Sequence, residues 1–389
     1  MRRLTFAVLS ALSTLSTVHA QTPTSAFISG SPVILSAYPS ATAVISNNTN
    51  APNAPKGKVF KYFMQIWLEN EDYETVTKLP QYQAIAERGI LLTNYNAITH
   101  PSEPNYVAAV AGTNFGIDND DYYDIPANET SIFDLLEKKG LTWKAYNEDL
   151  PAPGWTGYSN YNGSYVRKHD PAIIFDNIGL NQTRSANVVP GDLLKTDIAQ
   201  HNIPAYSFYT PNITNDGHDT NGTFAGMWLD GFLSSTLANA SFVKDALILI
   251  TFDETESYSE RNQVWSCLIG GVIPRRLWNT TDDTFYTHYS ALRTVELNWD
   301  LGNLSRGDTN ATVSNVFKFA AAALNYTNVK VTNIPYFNNS ITGPLTNNSW
   351  NETNSGTTGS KKSGATEFTH VSALAALSAF AAAFIPYLF

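Results

Sequence analysis

Apolar and polar positions follow two different periods along this chain. Solid apolar runs bounded by turn residues occur at "VFKYFMQIWLEN", "ILLTNYNA", "LTWKAYNE", "PAYSFYTP" and "ALILITFDE". Such runs predict strands buried on both faces. "QVWSCLIGG" reads as one more. Between them lie segments with helical spacing: "LPQYQAIAERG", closed by Gly89, then "NYVAAVAG", "SIFDLLEKKG" and "GDLLKTDIAQH". "SIFDLLEKKG" has Thr130 or Ser131 as its cap and Gly140 at its end. Two further helices are predicted around "YSALRTVELNW" and "VSNVFKFAAAAL". Alternating strands and helices predict an α/β fold, with a mostly parallel central sheet and helices on both faces.

The ends of the chain break this pattern. Residues 1–20 carry Arg2 and Arg3, an apolar stretch and Val18-His19-Ala20, the layout of a secretory signal peptide. Residues 21–57 are a Ser/Thr/Pro-rich leader, and 58–337 form one globular unit without an internal repeat or linker. Residues 338–360 read as an Asn/Thr/Ser-rich stalk. The polar spacer and apolar tail of 361–389 read as a GPI-anchor signal that is removed, with attachment at Asn354, Ser355 or Gly356. A plain C-terminal membrane helix lacks the basic residues expected after it.

Composition agrees with export. Asn-x-Ser/Thr sequons stand at Asn47, Asn128, Asn162, Asn181, Asn212, Asn221, Asn239, Asn279, Asn303, Asn310, Asn325, Asn338, Asn347 and Asn351. So dense a set points to a glycoprotein. The expected location is the outer face of the plasma membrane, or the cell wall or medium. The single cysteine, Cys267, sits in an apolar run, which excludes an intrachain disulfide and reads as a buried small hydrophobe. A net charge of -10 gives a nucleic-acid partner no electrostatic support.

Chemistry collects where strands end. The first strand runs into Glu69-Asn70, another into a loop with Asp216, His218 and Asp219, and a third into Asp253-Glu254. Ligands in open parallel sheets bind beyond the carboxyl ends of strands. Glu69, Asn70, Asp253 and Glu254 are hard oxygen donors with no neighbouring cation in sequence, which suits a divalent metal: Mg²⁺, Ca²⁺, Mn²⁺ or Zn²⁺. Ser102 precedes Glu103-Pro104 at a helix start. It reads as a cap, or as a nucleophile placed where free N–H groups would welcome phosphate.

Five segments, "LEN", "HPSEPNYVAAVAG", "NDGHD", "TFDETESY" and "HYSALRTVE", occur in this order. Together they resemble the phosphoesterase family of phospholipases C and acid phosphatases, and within it secreted, GPI-anchored fungal acid phosphatases. The resemblance spans Val59 to Leu324. It implies a fold like that of alkaline phosphatases and sulfatases, with Ser102 as a transiently phosphorylated nucleophile and Glu69, Asn70, Asp253 and Glu254 at the metal site. It implies that His218 and His288 contact phosphate or transfer a proton, with His218 as the donor to the leaving oxygen, that Asn105 supports the nucleophile loop or contacts phosphate, and that Asp219 lies at the substrate. Two-zinc alkaline phosphatases have Asp-His where this chain has Asp253-Glu254, so one metal ion is expected. His100 is read as adjacent to the nucleophile, His169 as a residue of a polar loop that is either surface or lines the site, and His201 as structural.

The implied reaction is hydrolysis of phosphate monoesters at acid pH, releasing inorganic phosphate. Two alternatives stand beside it. One is a phosphodiesterase or phospholipase C of the same family, for which Trp155, Tyr158 and Tyr161 would supply an aromatic rim. The other is a non-enzymatic cell-wall glycoprotein, a reading that leaves the clustered carboxylates unexplained.

Overall fold

The computed structural model describes residues 56–338 and 341–346. The signal peptide, most of the leader, the GPI attachment site, the apolar tail and the sequons Asn47, Asn347 and Asn351 lie outside the described residues.

Among the described residues ten strands form in chain order: β1 (Tyr62–Leu68), β2 (Ile90–Leu92), β3 (Tyr95–Asn96), β4 (Trp143–Asn147), β5 (Val188–Pro190), β6 (Tyr206–Thr210), β7 (Ala246–Phe252), β8 (Ser266–Ile269), β9 (Thr280–Asp282) and β10 (Tyr286–Thr287). Eight make one sheet in the order β5-β4-β6-β1-β7-β8-β2-β9. Its pairings are parallel except at β8, which runs antiparallel to β7 and β2. The mostly parallel sheet expected from the pattern is therefore present. β3 and β10 pair separately.

The central strands are apolar along their length because both faces are covered. On one face Trp67 of β1 packs against Tyr106 and His288, from the helices Ser102–Ala111 and His288–Trp299. On the other, Phe252 of β7 meets Tyr82 of the Pro80–Ala86 helix, which packs against Gly226 of the Gly222–Ser235 helix. β1 lies between β6 and β7, so the three strands that end in acids or lead into them are neighbours.

Some local expectations change. Ser131, not Thr130, caps its helix, in a capping box with Asp134, and Gly140 takes the expected left-handed conformation. Gly89 is not left-handed; a Cβ there would lie 2.1 Å from the Leu268 carbonyl oxygen, so close approach to β8 requires the glycine. The helix expected around "VSNVFKFAAAAL" shrinks to Lys318–Ala321. Before it, Asn315 and Asn328 side chains bond the backbone and hold the chain irregular. Within the expected stalk, Leu345 is 3% exposed and its N–H donates to the Phe115 carbonyl. Residues 341–346 thus lie back on the globular unit.

Candidate active site

β1 ends in Glu69, whose N–H donates to the Asp216 carbonyl, so the segment after β6 is stitched to β1. Asn70 turns into a left-handed conformation that asparagine tolerates, and its N–H donates to Asp253 Oδ1 at 3.0 Å. These bonds gather the carboxyl ends of β1, β6 and β7 at one point.

Ser102 enters from the adjacent loop. Pro101 occupies the cap position, and Ser102 is the first helical residue. Its side chain caps nothing. Instead Oγ donates to Glu69 Oε2 at 3.1 Å and faces Glu254 Oε1 at 3.4 Å, with the residue only 1% exposed. The capping alternative is thereby removed. The helix start also offers fewer free donors than expected: the Glu103 N–H goes to Asp120 Oδ1, and Pro104 has none.

Asn105 braces this loop with its whole amide. Oδ1 accepts from Ile98 and Thr99 N–H, and Nδ2 donates to the Thr99 and Pro101 carbonyls. It therefore supports the nucleophile loop, one of the two roles open to it. Asn262, which the sequence did not single out, ties that loop to the one after β7, since Oδ1 accepts from Thr255 N–H and Nδ2 donates to the Thr99 carbonyl.

His169 lies deeper than its polar surroundings suggest. It is 1% exposed, stacks on Tyr106 and stands between Glu69 and Asp216, at 3.4 and 3.6 Å. Two strand ends pin its turn: the His169 carbonyl accepts from the Thr210 hydroxyl at the end of β6, and Asn147 at the end of β4 donates to Asp170. Lys168, also missed, points its Nζ to Asp120 Oδ2 at 2.8 Å and to His218 Nε2 at 3.3 Å. Neither residue follows a strand directly, which is the signal that exposed the acids.

His218 stands at the rim, with its ring against Asp219 Oδ1 at 2.7 Å and its N–H on Asp216 Oδ1. An ammonium can only donate, so His218 Nε2 accepts from Lys168 and Nδ1 carries the proton toward Asp219. His100 Nδ1 faces Glu254 Oε2, and its ring stacks on Tyr258. His288 lies elsewhere. It is buried behind β1 and β7 against Trp67 and Tyr95, with Nε2 on the Asp253 carbonyl. Burial holds its pKa down at about 3, so it is a neutral donor that orients the Asp253 turn. His201 ends a helix on the surface, as read.

Electrostatics define what this pocket accepts. Burial raises Glu69, and the charges of Asp253 and Asp216 raise it further. Burial likewise raises Asp216, Asp253 and Glu254, and the Asp253 charge adds to the shifts of Asp216 and Glu254. Lys168 opposes the shifts of Glu69, Asp216 and Glu254. Asp216 Oδ2 and Asp253 Oδ2 are buried without a hydrogen-bond partner, and Glu254 Oε2 has the His100 ring nitrogen against it. Glu69, His169 and Asp216 place ligand atoms within 4.8 Å of one another. Crowded, under-satisfied acids with one imidazole fit a divalent cation.

Residues 53–302 match the Phosphoesterase family. An acid phosphatase of Aspergillus fumigatus is 43% identical over 343 residues, covering 87% of this chain and 75% of the relative. A probable acid phosphatase of Kluyveromyces lactis is 47% identical over 295 residues, covering 75% of this chain and 69% of the relative. Among solved structures, a protein in the alkaline phosphatase superfamily from Vibrio parahaemolyticus aligns with a TM-score of 0.43 at 12% identity, covering 66% of this chain and 71% of that one. On the extent of the family match and the identity of these relatives, the chain belongs to the phosphoesterase family.

Proposed function

We propose that this protein is a metal-dependent acid phosphatase that hydrolyses phosphate monoesters through a phosphoserine at Ser102. The observation that carries the proposal is Ser102 Oγ, buried at a helix start and held against Glu69 and Glu254. Relatives named acid phosphatases support the monoester class.

Ser102 Oγ gives up its proton to Glu69 Oε2, to which it already donates, and attacks phosphorus, forming the Oγ–P bond as the ester P–O bond breaks. The leaving oxygen takes the electron pair and a proton, for which His218 at the rim is the proposed carrier. Water then cleaves Oγ–P, releasing inorganic phosphate and restoring the serine. One divalent ion is proposed, held by Glu69, Asn70, Asp253 and Glu254, with Asp216 and His169 alongside Glu69. When bound, such an ion supplies Lewis-acid charge for the serine oxygen and the phosphoryl oxygens. The His169 imidazole alongside Glu69 favours Mn²⁺ or Zn²⁺ over Mg²⁺ or Ca²⁺.

Export as a GPI-anchored glycoprotein is part of the proposal. In its support, every sequon asparagine among the described residues is exposed or half-buried. Release of the protein from membranes by a phosphatidylinositol-cleaving phospholipase tests the anchor, and retention after treatment contradicts it.

The test of activity compares 4-nitrophenyl phosphate, bis(4-nitrophenyl) phosphate and phosphatidylcholine at acid pH. The monoester is expected to turn over fastest, and Ser102→Ala to lose at least about 10³-fold. Chelation should remove activity and lower the unfolding temperature, and a divalent ion should restore both. A diester or the phospholipid as best substrate rejects the monoesterase reading. Full activity in Ser102→Ala rejects the serine mechanism. A chelated enzyme with unchanged activity and unfolding temperature rejects the metal.

A further inference from the structure

We infer that Lys168 binds a non-bridging phosphoryl oxygen of the substrate and sets a preference for dianionic monoesters over monoanionic diesters. The inference rests on the proposed phosphatase reading and adds a residue to it.

Glu69, Asp253 and Glu254 face Ser102 and Asp216 lies beside Glu69, and all four carboxylates are buried. A phosphate monoester brings up to two more negative charges into that pocket. The helix start supplies little to receive them, because Glu103 N–H is taken by Asp120 and Pro104 has no N–H. Arg167 is nearby but committed: its guanidinium is buried, donates to the Tyr123 carbonyl and Asp124, and lies over the Tyr122 ring. Lys168 remains.

Its position is built rather than incidental. Asp120 accepts from Glu103 N–H with Oδ1 and from Lys168 Nζ with Oδ2, so one carboxylate anchors the ammonium beside the start of the Ser102 helix. His218 Nε2 takes a second N–H. An ammonium has three, and the third has no hydrogen-bond partner among the described residues. The side chain is 15% exposed, enough to touch a ligand yet shielded from bulk water. There a charge-assisted hydrogen bond is stronger than at the surface. When Lys168 turns onto phosphate, His218 Nε2 is free to take a proton from solvent and pass it to the leaving oxygen.

The chemistry predicts discrimination. A fixed cation gains more from a dianion than from a monoanion, and its loss exposes the dianion to the carboxylates. The test uses 4-nitrophenyl phosphate and methyl 4-nitrophenyl phosphate, which share a leaving group, with inorganic phosphate as inhibitor. Lys168→Met should lower kcat/KM for the monoester about 10- to 100-fold, lower it less than about 5-fold for the diester, and raise the phosphate inhibition constant at least about 10-fold. Lys168→Arg keeps the charge and should retain the wild-type monoester-to-diester ratio within about 5-fold.

Equal losses on both esters, or an unchanged phosphate inhibition constant, would overturn the inference. If Lys168→Met shows no cooperative unfolding, Lys168→Arg decides alone: a retained ratio supports the role, and a tenfold fall in it contradicts the role. A wild-type protein that hydrolyses neither ester, while binding phosphate through Lys168, would defeat the phosphatase reading and the ester preference with it, and leave only phosphate binding by Lys168.

Discussion

His288 separates touching the substrate from positioning what does. Its place in "HYSALRTVE" suggested contact with phosphate. The fold instead buries the ring between Trp67 and Tyr95 and sets its nitrogen on the Asp253 carbonyl. His288→Phe keeps the ring and removes this bond. It should cost about 1–3 kcal/mol in stability while changing phosphate inhibition less than about threefold. Denaturant unfolding and inhibition kinetics measure the two effects, and a tenfold weaker inhibition would return His288 to the substrate. Ser102, Glu69 and Glu254 were readable because each stands where a strand ends or a helix begins. Lys168 and His169 were not, because a long connection between β4 and β5 carries them. Bonds to residues outside that connection, Thr210 and Asn147 among them, fold it over the site.

At the scale of elements, the long apolar strands were legible because burial on both faces leaves an unbroken run. Short pieces were not. "ILLTNYNA" read as one strand but divides into β2 and β3, which pair in different sheets. The His288–Trp299 helix carries a titration of its own, remote from the carboxylate pocket. Burial and the neighbouring Asp308 charge raise Glu296 to about 8, and Arg293, one turn back, lowers it only in part. Its folded pKa therefore lies above its unfolded value near 4.5. Stability from the protonated form is complete below pH ~4.5 and is lost as pH rises toward 8, at up to about 1.4 kcal/mol per pH unit for one proton. Glu296→Gln should unfold at a higher temperature than wild type near pH 7.5, with that advantage gone by pH 4.5. Thermal unfolding at the two pH values measures this, and a constant difference between the proteins would contradict it.

For the whole molecule, three parallel strands converge on one carboxylate-lined pocket, and a loop from either side closes around it. The alternation of elements was enough to predict this sheet, and the acids at its strand ends were enough to place the pocket. The docking of residues 341–346 was not legible, since their composition matches that of a stalk and only the burial of Leu345 distinguishes them. The central claim concerns one covalent bond. Acid-quenching the enzyme during turnover of a phosphate monoester, followed by peptide mass spectrometry, tests it directly. Phosphate is predicted on the peptide containing Ser102, and its absence in Ser102→Ala is required. Phosphate on a histidine, or no phosphorylated peptide at a quench time when product is still accumulating linearly after an initial burst, would contradict the account.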